Sequence, residues 1–512
     1  MLNFITRLFA KPTKGEDTLR PSKASVLDAL DFGKEAAEFE QSNLGSYFLE
    51  TQAWKDYSRG DFALVLGPKG AGKSALYHLS KQNPSTLPKD TILISKSDFD
   101  GEFTGDEFAS ATSKQYTQAW RLYFIAQALK EFRPEDPEAE YLFKRIRETM
   151  RSHINAEFDV STSEKIVSSI LKYLRNMTSN AEMEFEIKTP VGTAKINTES
   201  DATEEPKRFP VSEIYSRVDE ALSKEGKSLW ITLDRLDAAF ARDVETEKKA
   251  LRGLIDATKA ALQYNRIHVK LFLRSDFWEM LVDDKQPIRE ATHVPTVKLE
   301  WSEAQIILLM YRRFFHVDKA RQFANLSSEW SSPSLSQAKE ALYQLLPLQV
   351  DSGSKKPQTL DWVLTRLRDG QKNIVPRDVI YFLGQLRSVT AKKIEAGELS
   401  FENDSSPLFE QYSFKEAMIE VSRYKLEQFL YAEYPKLKML CEALRDGSKT
   451  VTHAELKSIW GTNARNTEAS IRQLVRLGFF STSQNLSKSI PKNAEFTVPF
   501  IYRAALGLAY PY

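Results

Sequence analysis

The clearest chemistry in this sequence lies in a glycine-rich turn that separates an apolar run from a helix-favouring run. Residues 67–74 read Gly-Pro-Lys-Gly-Ala-Gly-Lys-Ser and match the pattern G-x-x-x-x-G-K-[ST] at every position. Its glycines, Gly67, Gly70 and Gly72, let the backbone curl so that successive N–H groups point inward at an anion. The pattern predicts strand, phosphate-binding loop and helix, and therefore a site for a nucleoside triphosphate.

Two side chains at the end of this loop have separate expected roles. The helix that begins near Lys73 adds its positive end to the phosphate site. Lys73 is expected to reach the β- and γ-phosphates, and Ser74 to supply a hydroxyl to Mg²⁺. We therefore expect ATP or ADP with Mg²⁺, bound by residues Gly67, Pro68, Lys69, Gly70, Ala71, Gly72, Lys73 and Ser74.

Two later apolar runs each end in a charged residue. Residues 228–233 form a predicted buried strand that ends in Asp234, and an acid at that end is what Mg²⁺ of a P-loop enzyme requires. Residues 267–273 form another predicted strand, which ends in Arg274 at the same edge. Arg274 could reach a γ-phosphate, or it could be a strand-end arginine held in a salt bridge.

Bulk composition excludes some classes of protein. The chain has 512 residues, which is too many for one core, and a formal net charge of +1, so any contact with nucleic acid must be local. A single cysteine, Cys441, excludes an intramolecular disulfide and is typical of a reducing cytoplasm. No window of 18 apolar residues exists, so no transmembrane segment is predicted. Residues 1–11 could form a short apolar helix, either a surface anchor or a frayed or docked end.

Breaks in the pattern divide the chain into predicted units. A strand is also expected at 91–95 and at 294–299, and helical patterns cover 106–132, 244–264 and 302–395. The resulting units are an N-terminal segment and linker (1–29), an α/β core (30–300), a helical unit (301–397), a linker helix (398–430) and a compact C-terminal unit (431–512).

Residues 133–210 interrupt the α/β pattern and are predicted to be an insertion. Alternating polar and apolar residues lie on either side of Pro190-Val191-Gly192, at 182–188 and 193–197, and this pattern predicts a β-hairpin. An amphipathic stretch near 163–175 precedes it.

The C-terminal unit has the pattern of a winged helix. Helices are expected at 434–444, 452–459 and 467–477, followed by a two-stranded wing at 478–481 and 495–498. Residues 431–512 contain eleven Lys or Arg against six Asp or Glu, a net of +5, which is modest for nucleic-acid binding. Candidate DNA contacts are Arg465, Arg472, Arg476, Lys488 and Lys492, and the alternative is a solvated face on a protein-docking domain.

In this order, the pieces resemble the STAND/AAA+ group of P-loop ATPases, including its KAP and origin-recognition relatives. The resemblance is carried by 67–74, 233–237, 273–275 and Val375-Pro376-Arg377. It implies a parallel P-loop NTPase core with an α-helical lid and a C-terminal winged helix. It also implies that Pro376 packs on adenine and that Arg377 senses the γ-phosphate.

One position departs from that group. The relatives carry an acid directly after the strand-end aspartate, where it orients the attacking water, but this chain has Arg235 there and the next acid is Asp237. Loss of that acid should slow phosphoryl transfer, which depends on positioning and charge stabilisation. Either Asp237 substitutes as a weak base, or the protein is mainly a nucleotide-held switch.

The leading functional hypothesis is therefore a slowly hydrolysing, cytoplasmic ATPase that acts as a conformational switch. The resemblance adds a homo-oligomer or an effector protein as partner, and a setting in bacterial phage defence. The alternative is an origin-recognition-like ATPase that binds DNA through the winged helix. A small-molecule kinase has no support, because no acceptor-site motif is found.

Overall fold

The computed structural model describes residues 20–34, 40, 44–97, 106–154, 163–175, 183–190, 204–236, 244–282, 294–326, 332–398, 407–486 and 489–508. The strands in these ranges are β1 (Leu64–Gly67), β2 (Thr91–Lys96), β3 (Glu184–Pro190), β4 (Glu204–Pro210), β5 (Ser228–Leu233), β6 (Ile267–Arg274), β7 (Thr296–Lys298), β8 (Thr450–Thr452) and β9 (Glu495–Thr497). Five of them form one parallel sheet in the order β2-β5-β6-β1-β7, and the other four form two antiparallel pairs, β3 with β4 and β8 with β9.

Helices surround this sheet and make up the second half of the chain. The helices that precede or flank the sheet are α1 (Lys23–Ala29), α2 (Leu44–Tyr47), α3 (Gln52–Arg59), α4 (Lys73–Gln82), α5 (Asp106–Ser110), α6 (Ser113–Glu131), α7 (Pro137–Ile154), α8 (Ser163–Arg175), α9 (Val211–Lys224), α10 (Val244–Ala261) and α11 (Ser275–Val282). Those that follow it are α12 (Glu303–Phe315), α13 (Asp318–Phe323), α14 (Leu335–Leu342), α15 (Thr359–Leu367), α16 (Pro376–Glu395), α17 (Gln411–Tyr424), α18 (Pro435–Glu442), α19 (His453–Trp460), α20 (Ala464–Arg476) and α21 (Phe500–Arg503). A π-helix, Lys425–Tyr431, continues α17.

The sheet has a hydrophobic layer on each face because successive strand side chains point in opposite directions. Leu64, Leu66 and Leu271 face a core that includes α6 and α10. Val65 and Phe272 face the other core, which is rich in aromatic side chains from α3 and α4. The five strands and the mixed α/β architecture predicted from the apolar runs are therefore confirmed.

The predicted insertion shares the core of the sheet. Side chains from α7, α8, β3 and β4 belong to the same buried cluster as the sheet residue Leu229, including Phe143, Ile166, Phe185 and Phe209. The hairpin prediction is corrected in one respect: β3 pairs antiparallel with β4, so that Glu184 lies opposite Pro210. The predicted partner strand at 193–197 lies outside the described residues.

The helical unit and the C-terminal unit also share one core. A single buried cluster joins Leu27 of α1, Phe314 of α12 and Phe382 of α16 to Phe479 and Tyr502 near the C-terminus. The predicted wing is altered, because β9 pairs with β8, which precedes α19. The expected strand at 478–481 contributes one bridge, between Ser481 and Thr497.

Candidate functional site

The glycine-rich loop joins β1 to α4 at the carboxyl edge of the sheet. Gly70 and Gly72 have φ values of 87° and 99°, which side chains with a Cβ rarely adopt. Gly72 is the N-cap of α4 and has no side chain to cap the first helical turn, whose N–H groups therefore face the loop. The Lys73 ammonium folds back and donates to the carbonyls of Gly67 (2.8 Å) and Pro68 (3.0 Å).

A cavity of about 630 Å³ opens beside this loop. Its lining includes loop residues 69–74 together with Asp234, Arg274, Pro376 and Arg377. The structure thus brings these predicted residues to one place, although their contact with a ligand stays a prediction. Gly67 and Pro68 instead line a second cavity of about 360 Å³ behind the loop. Asp237 lies outside the described residues.

The parallel sheet explains why Asp234 and Arg274 meet the loop. The carboxyl ends of β1, β5 and β6 lie at one edge, with β6 between the other two. Asp234 is 3% exposed, and its backbone N–H donates to the Lys96 carbonyl at 3.0 Å. A buried carboxylate at that edge is a chemically suitable magnesium ligand.

Arg235, at the position where the resemblance expects an acid, has an unusual backbone. Its φ is 61°, in the left-handed region that is uncommon for residues other than glycine. Such backbone is often found at functional sites, and Arg235 lines the cavity.

The helical unit touches the loop directly through the start of α16. The Arg377 N–H donates to the Gly70 carbonyl at 3.3 Å. A Cβ added to Gly70 would lie 2.8 Å from the Arg377 Cβ, which is too close for two carbons. Gly70 is therefore needed both for its positive φ and for this contact between loop and helix.

Arg274 is held in a network of ion pairs. Its guanidinium donates to Asp276 (Nη2 to Oδ2, 2.9 Å), to Glu433 (Nη1 to Oε2, 2.7 Å) and to the Tyr434 hydroxyl (2.9 Å). Burial by itself raises the pKa of Asp276, but Arg274, the Tyr434 hydroxyl and Lys73 together outweigh burial and hold that pKa below its usual value. Arg274 is therefore held in salt bridges, as one of the two expectations has it. It also lines the cavity, and its contact with a γ-phosphate stays a prediction.

Four acids that line this cavity were not anticipated from the sequence: Glu40, Glu300, Glu433 and Glu247. Glu433 lies between the π-helix and α18 and accepts a hydrogen bond from Lys69 as well as from Arg274. Glu247, in the first turn of α10, is 7% exposed. Nothing in the local sequence marks Glu433 or Glu247, since Glu433 is 364 positions from Lys69 and Glu247 is one of several acids on an amphipathic helix.

Part of the cavity lining is apolar and aromatic, beside the charged side chains of Lys34, Glu40 and Arg313. Tyr47, Phe48, Leu309 and Ile380 line it together with Trp301, whose indole N–H donates to the Ala71 carbonyl at 2.9 Å. A flat aromatic base could pack against such a wall.

The basic residues proposed for DNA contact divide into two groups. Arg472 donates to the Leu486 carbonyl and pairs with Glu468, and Arg476 lies 3.8 Å from Glu279 of α11. Arg465 and Lys492 are exposed, and Lys488 lies outside the described residues.

In the described part of the chain, no helix is long and apolar enough to cross a membrane. The same residues contain no cluster of three or more His, Cys, Asp or Glu side chains arranged to hold a metal ion.

Comparison with known proteins gives little further information. No family model matches the chain, and no curated protein is similar to it in sequence. One solved structure that matches is Cdc6p from Pyrobaculum aerophilum, at 11% identity over 94% of this chain and 96% of that chain, with a TM-score of 0.25. We base no conclusion on a likeness at this level.

Proposed function

We propose that this chain binds ATP with Mg²⁺ in the 630 Å³ cavity and hydrolyses it slowly, as a conformational switch. One observation carries the proposal: residues 69–74 of a complete phosphate-loop motif line one cavity together with Asp234 and Arg274. The lining suits a nucleotide, since it combines cations and loop N–H groups with apolar and aromatic side chains.

The residues present also suit Mg²⁺ at the phosphate end. The Ser74 hydroxyl and the buried Asp234 carboxylate would hold the ion, and both line the cavity. When bound, Mg²⁺ offsets negative charge on the phosphates. The loop N–H groups and Lys73 would orient those phosphates, and Arg274 would reach the terminal one.

Slow hydrolysis follows from the acids available to position water. Arg235 occupies the position directly after Asp234, so the usual acid is missing. Glu247 is one carboxylate that lines the cavity, and Asp237 stays a candidate from the sequence that lies outside the described residues. We propose that a distant acid of this kind aligns water poorly, which favours a long-lived ATP state.

Switch behaviour is supported by the way the helical units are joined. The start of α16 contacts Gly70, and α16 shares a continuous core with the C-terminal helices. A ligand that moved α16 would therefore move the C-terminal unit as well. Under the proposed STAND/AAA+-like role, a homo-oligomer or an effector protein reads out that movement, and phage defence is its proposed setting.

The direct test measures ATP binding by calorimetry in wild type and in Lys73→Ala. Loss of a charge-assisted phosphate contact costs about 1.5–3 kcal/mol, so we expect affinity to fall about 10- to 100-fold. Lys81→Ala, an exposed lysine in the last turn of the same helix, is the matched control and should bind normally. Equal affinity in Lys73→Ala and wild type would refute the nucleotide site.

Origin-recognition-like DNA binding is the second candidate, and no contact in the structure favours it over the switch. Arg472 and Arg476 serve contacts within the chain, so their reversal would disturb packing. The cleaner test is Arg465→Glu with Lys492→Glu, both exposed. DNA affinity with a steep salt dependence, lost in this pair, would favour DNA binding.

A further inference from the structure

Glu433 connects the C-terminal half of the chain to the two cations at the phosphate end of the cavity. Its Oε1 accepts from the Lys69 ammonium, and its Oε2 accepts from Arg274 Nη1 at 2.7 Å. Lys69 belongs to the glycine-rich loop, and Arg274 ends β6. One carboxylate thus bridges the two elements that the proposed function assigns to phosphate.

The following residue strengthens this bridge. The Tyr434 hydroxyl accepts from Arg274 Nη2 at 2.9 Å and donates to Asp276. Burial by itself raises the pKa of Glu433, but Arg274 and Lys69 beside it lower that pKa below its usual value. Glu433 therefore carries its negative charge at neutral pH. Arg274 is only 3% exposed, so its charge is balanced by these protein contacts rather than by solvent.

The backbone places Glu433 here through an unusual element. Residues 425–431 form a π-helix, a rare element that is often found at functional sites. At its start, Lys425 donates to Asp378 at 2.6 Å in a buried ion pair, which ties it to the first turn of α16. Beyond its end at Tyr431, residues 432–434 lead to Pro435, where α18 begins. Glu433 is thus connected to α16 on one side and to the C-terminal helices on the other.

We propose that Glu433 competes inside the chain with the terminal phosphate of ATP for Lys69 and Arg274, so that ATP displaces the segment that carries it. The inference rests on the proposed ATP site. It adds that the site distinguishes ATP from ADP and that ATP binding is coupled to the segment that carries Glu433. A phosphate carries more negative charge and more acceptor oxygens than a carboxylate, so it can replace Glu433 on both cations. ADP lacks the terminal phosphate and should leave Glu433 in place.

Thermodynamic linkage gives the consequence that can be measured. If ATP must break the Glu433 contacts, part of its binding free energy is spent on breaking them. Removing the Glu433 charge must therefore strengthen ATP binding by the factor by which those contacts weaken it in wild type. Coupling between sites typically changes affinity about 5- to 150-fold, and we expect about tenfold tighter ATP binding in Glu433→Gln. ADP affinity should stay within about twofold, since the cavity retains its other contacts.

The experiment compares wild type, Glu433→Gln and Glu427→Gln in the full chain. Glu427 is an exposed acid on the π-helix that precedes Glu433 and is the matched control. Calorimetry gives ATP and ADP affinities, and hydrogen exchange reports residues 433–442 with and without ATP. We expect ATP to increase exchange over this segment in wild type, and Glu433→Gln to show increased exchange without ATP.

The possible outcomes separate this inference from the proposed function. Tighter ATP binding in Glu433→Gln alone, with ADP unchanged, supports it. If wild type binds ATP and Glu433→Gln binds it no better, the inference is overturned while the ATP site stands. ATP binding to wild type without altered exchange over residues 433–442 overturns it as well. If no variant binds nucleotide, the proposed function fails and the inference falls with it.

Discussion

Lys270 lies in the middle of the parallel sheet and should make its stability depend on pH. It is 1% exposed, its ammonium donates to the carbonyls of Gly60 and Phe62, and it lies over the rings of Phe62 (4.2 Å) and Trp230 (4.6 Å). Burial lowers the pKa of Lys270 to about 7, with Asp61 partly opposing the change.

The sign of the effect follows from proton binding. The unfolded chain, with an ordinary lysine pKa of about 10.4, keeps the proton between pH 7 and 10, whereas the folded chain loses it as pH rises above 7. Lys270 therefore destabilises the fold fully below pH 7, and the penalty decreases as pH rises toward 10.4. One pH unit is worth at most about 1.4 kcal/mol, so the free energy of unfolding should rise by about 2 kcal/mol between pH 7 and pH 9.

The assay is urea unfolding of wild type and Lys270→Met at pH 6, 7, 8 and 9. The difference between the two proteins isolates Lys270, because other titrating groups are common to both. Lost hydrogen bonds to Gly60 and Phe62 cost about 1–3 kcal/mol but do not vary with pH. Lys55→Met, an exposed lysine on α3, should keep the wild-type slope. Parallel curves for wild type and Lys270→Met between pH 7 and 9 would refute the reasoning.

Three further predictions concern the cavity and its supports. Gly70→Ala should weaken ATP binding by at least about tenfold, since the added Cβ would lie 2.8 Å from the Arg377 Cβ. Gly45→Ala, which has open space around it, should bind as wild type does, and equal affinities of Gly70→Ala and wild type by calorimetry would contradict this prediction. Arg235→Glu should speed single-turnover hydrolysis at least about tenfold, because it restores the expected acid. Glu247→Gln should slow hydrolysis, and a Glu247→Gln rate equal to wild type would exclude Glu247 as the water-positioning acid. Lys425→Met should lower the free energy of unfolding by about 3–5 kcal/mol, because it leaves the Asp378 charge buried and uncompensated. Adding Asp378→Leu should recover most of that loss in urea unfolding, and no recovery would mean that the ion pair does not stabilise this contact.

The sequence by itself determined the strands of the sheet and the residues at their ends. Apolar runs and the glycine-rich motif are local patterns, and parallel strands place their carboxyl ends together, so Asp234 and Arg274 could be assigned to the edge that holds Lys73. Pro376 and Arg377, which the resemblance assigns to contacts with adenine and the γ-phosphate, line the same cavity. Their roles toward a ligand are still predictions.

Only the tertiary structure decided which distant segments meet. Hydrophobic periodicity shows that a residue is buried but not against what, so β4 as the partner of β3 and β8 as the partner of β9 were missed. The same limit concealed the single core that unites the helical and C-terminal units. Glu433 meets Lys69 across 364 positions and Arg274 across 159, and contacts of charged side chains at such separation leave no local pattern to detect. They arise when packing of the surrounding apolar surfaces brings their backbones together, which only the folded chain specifies.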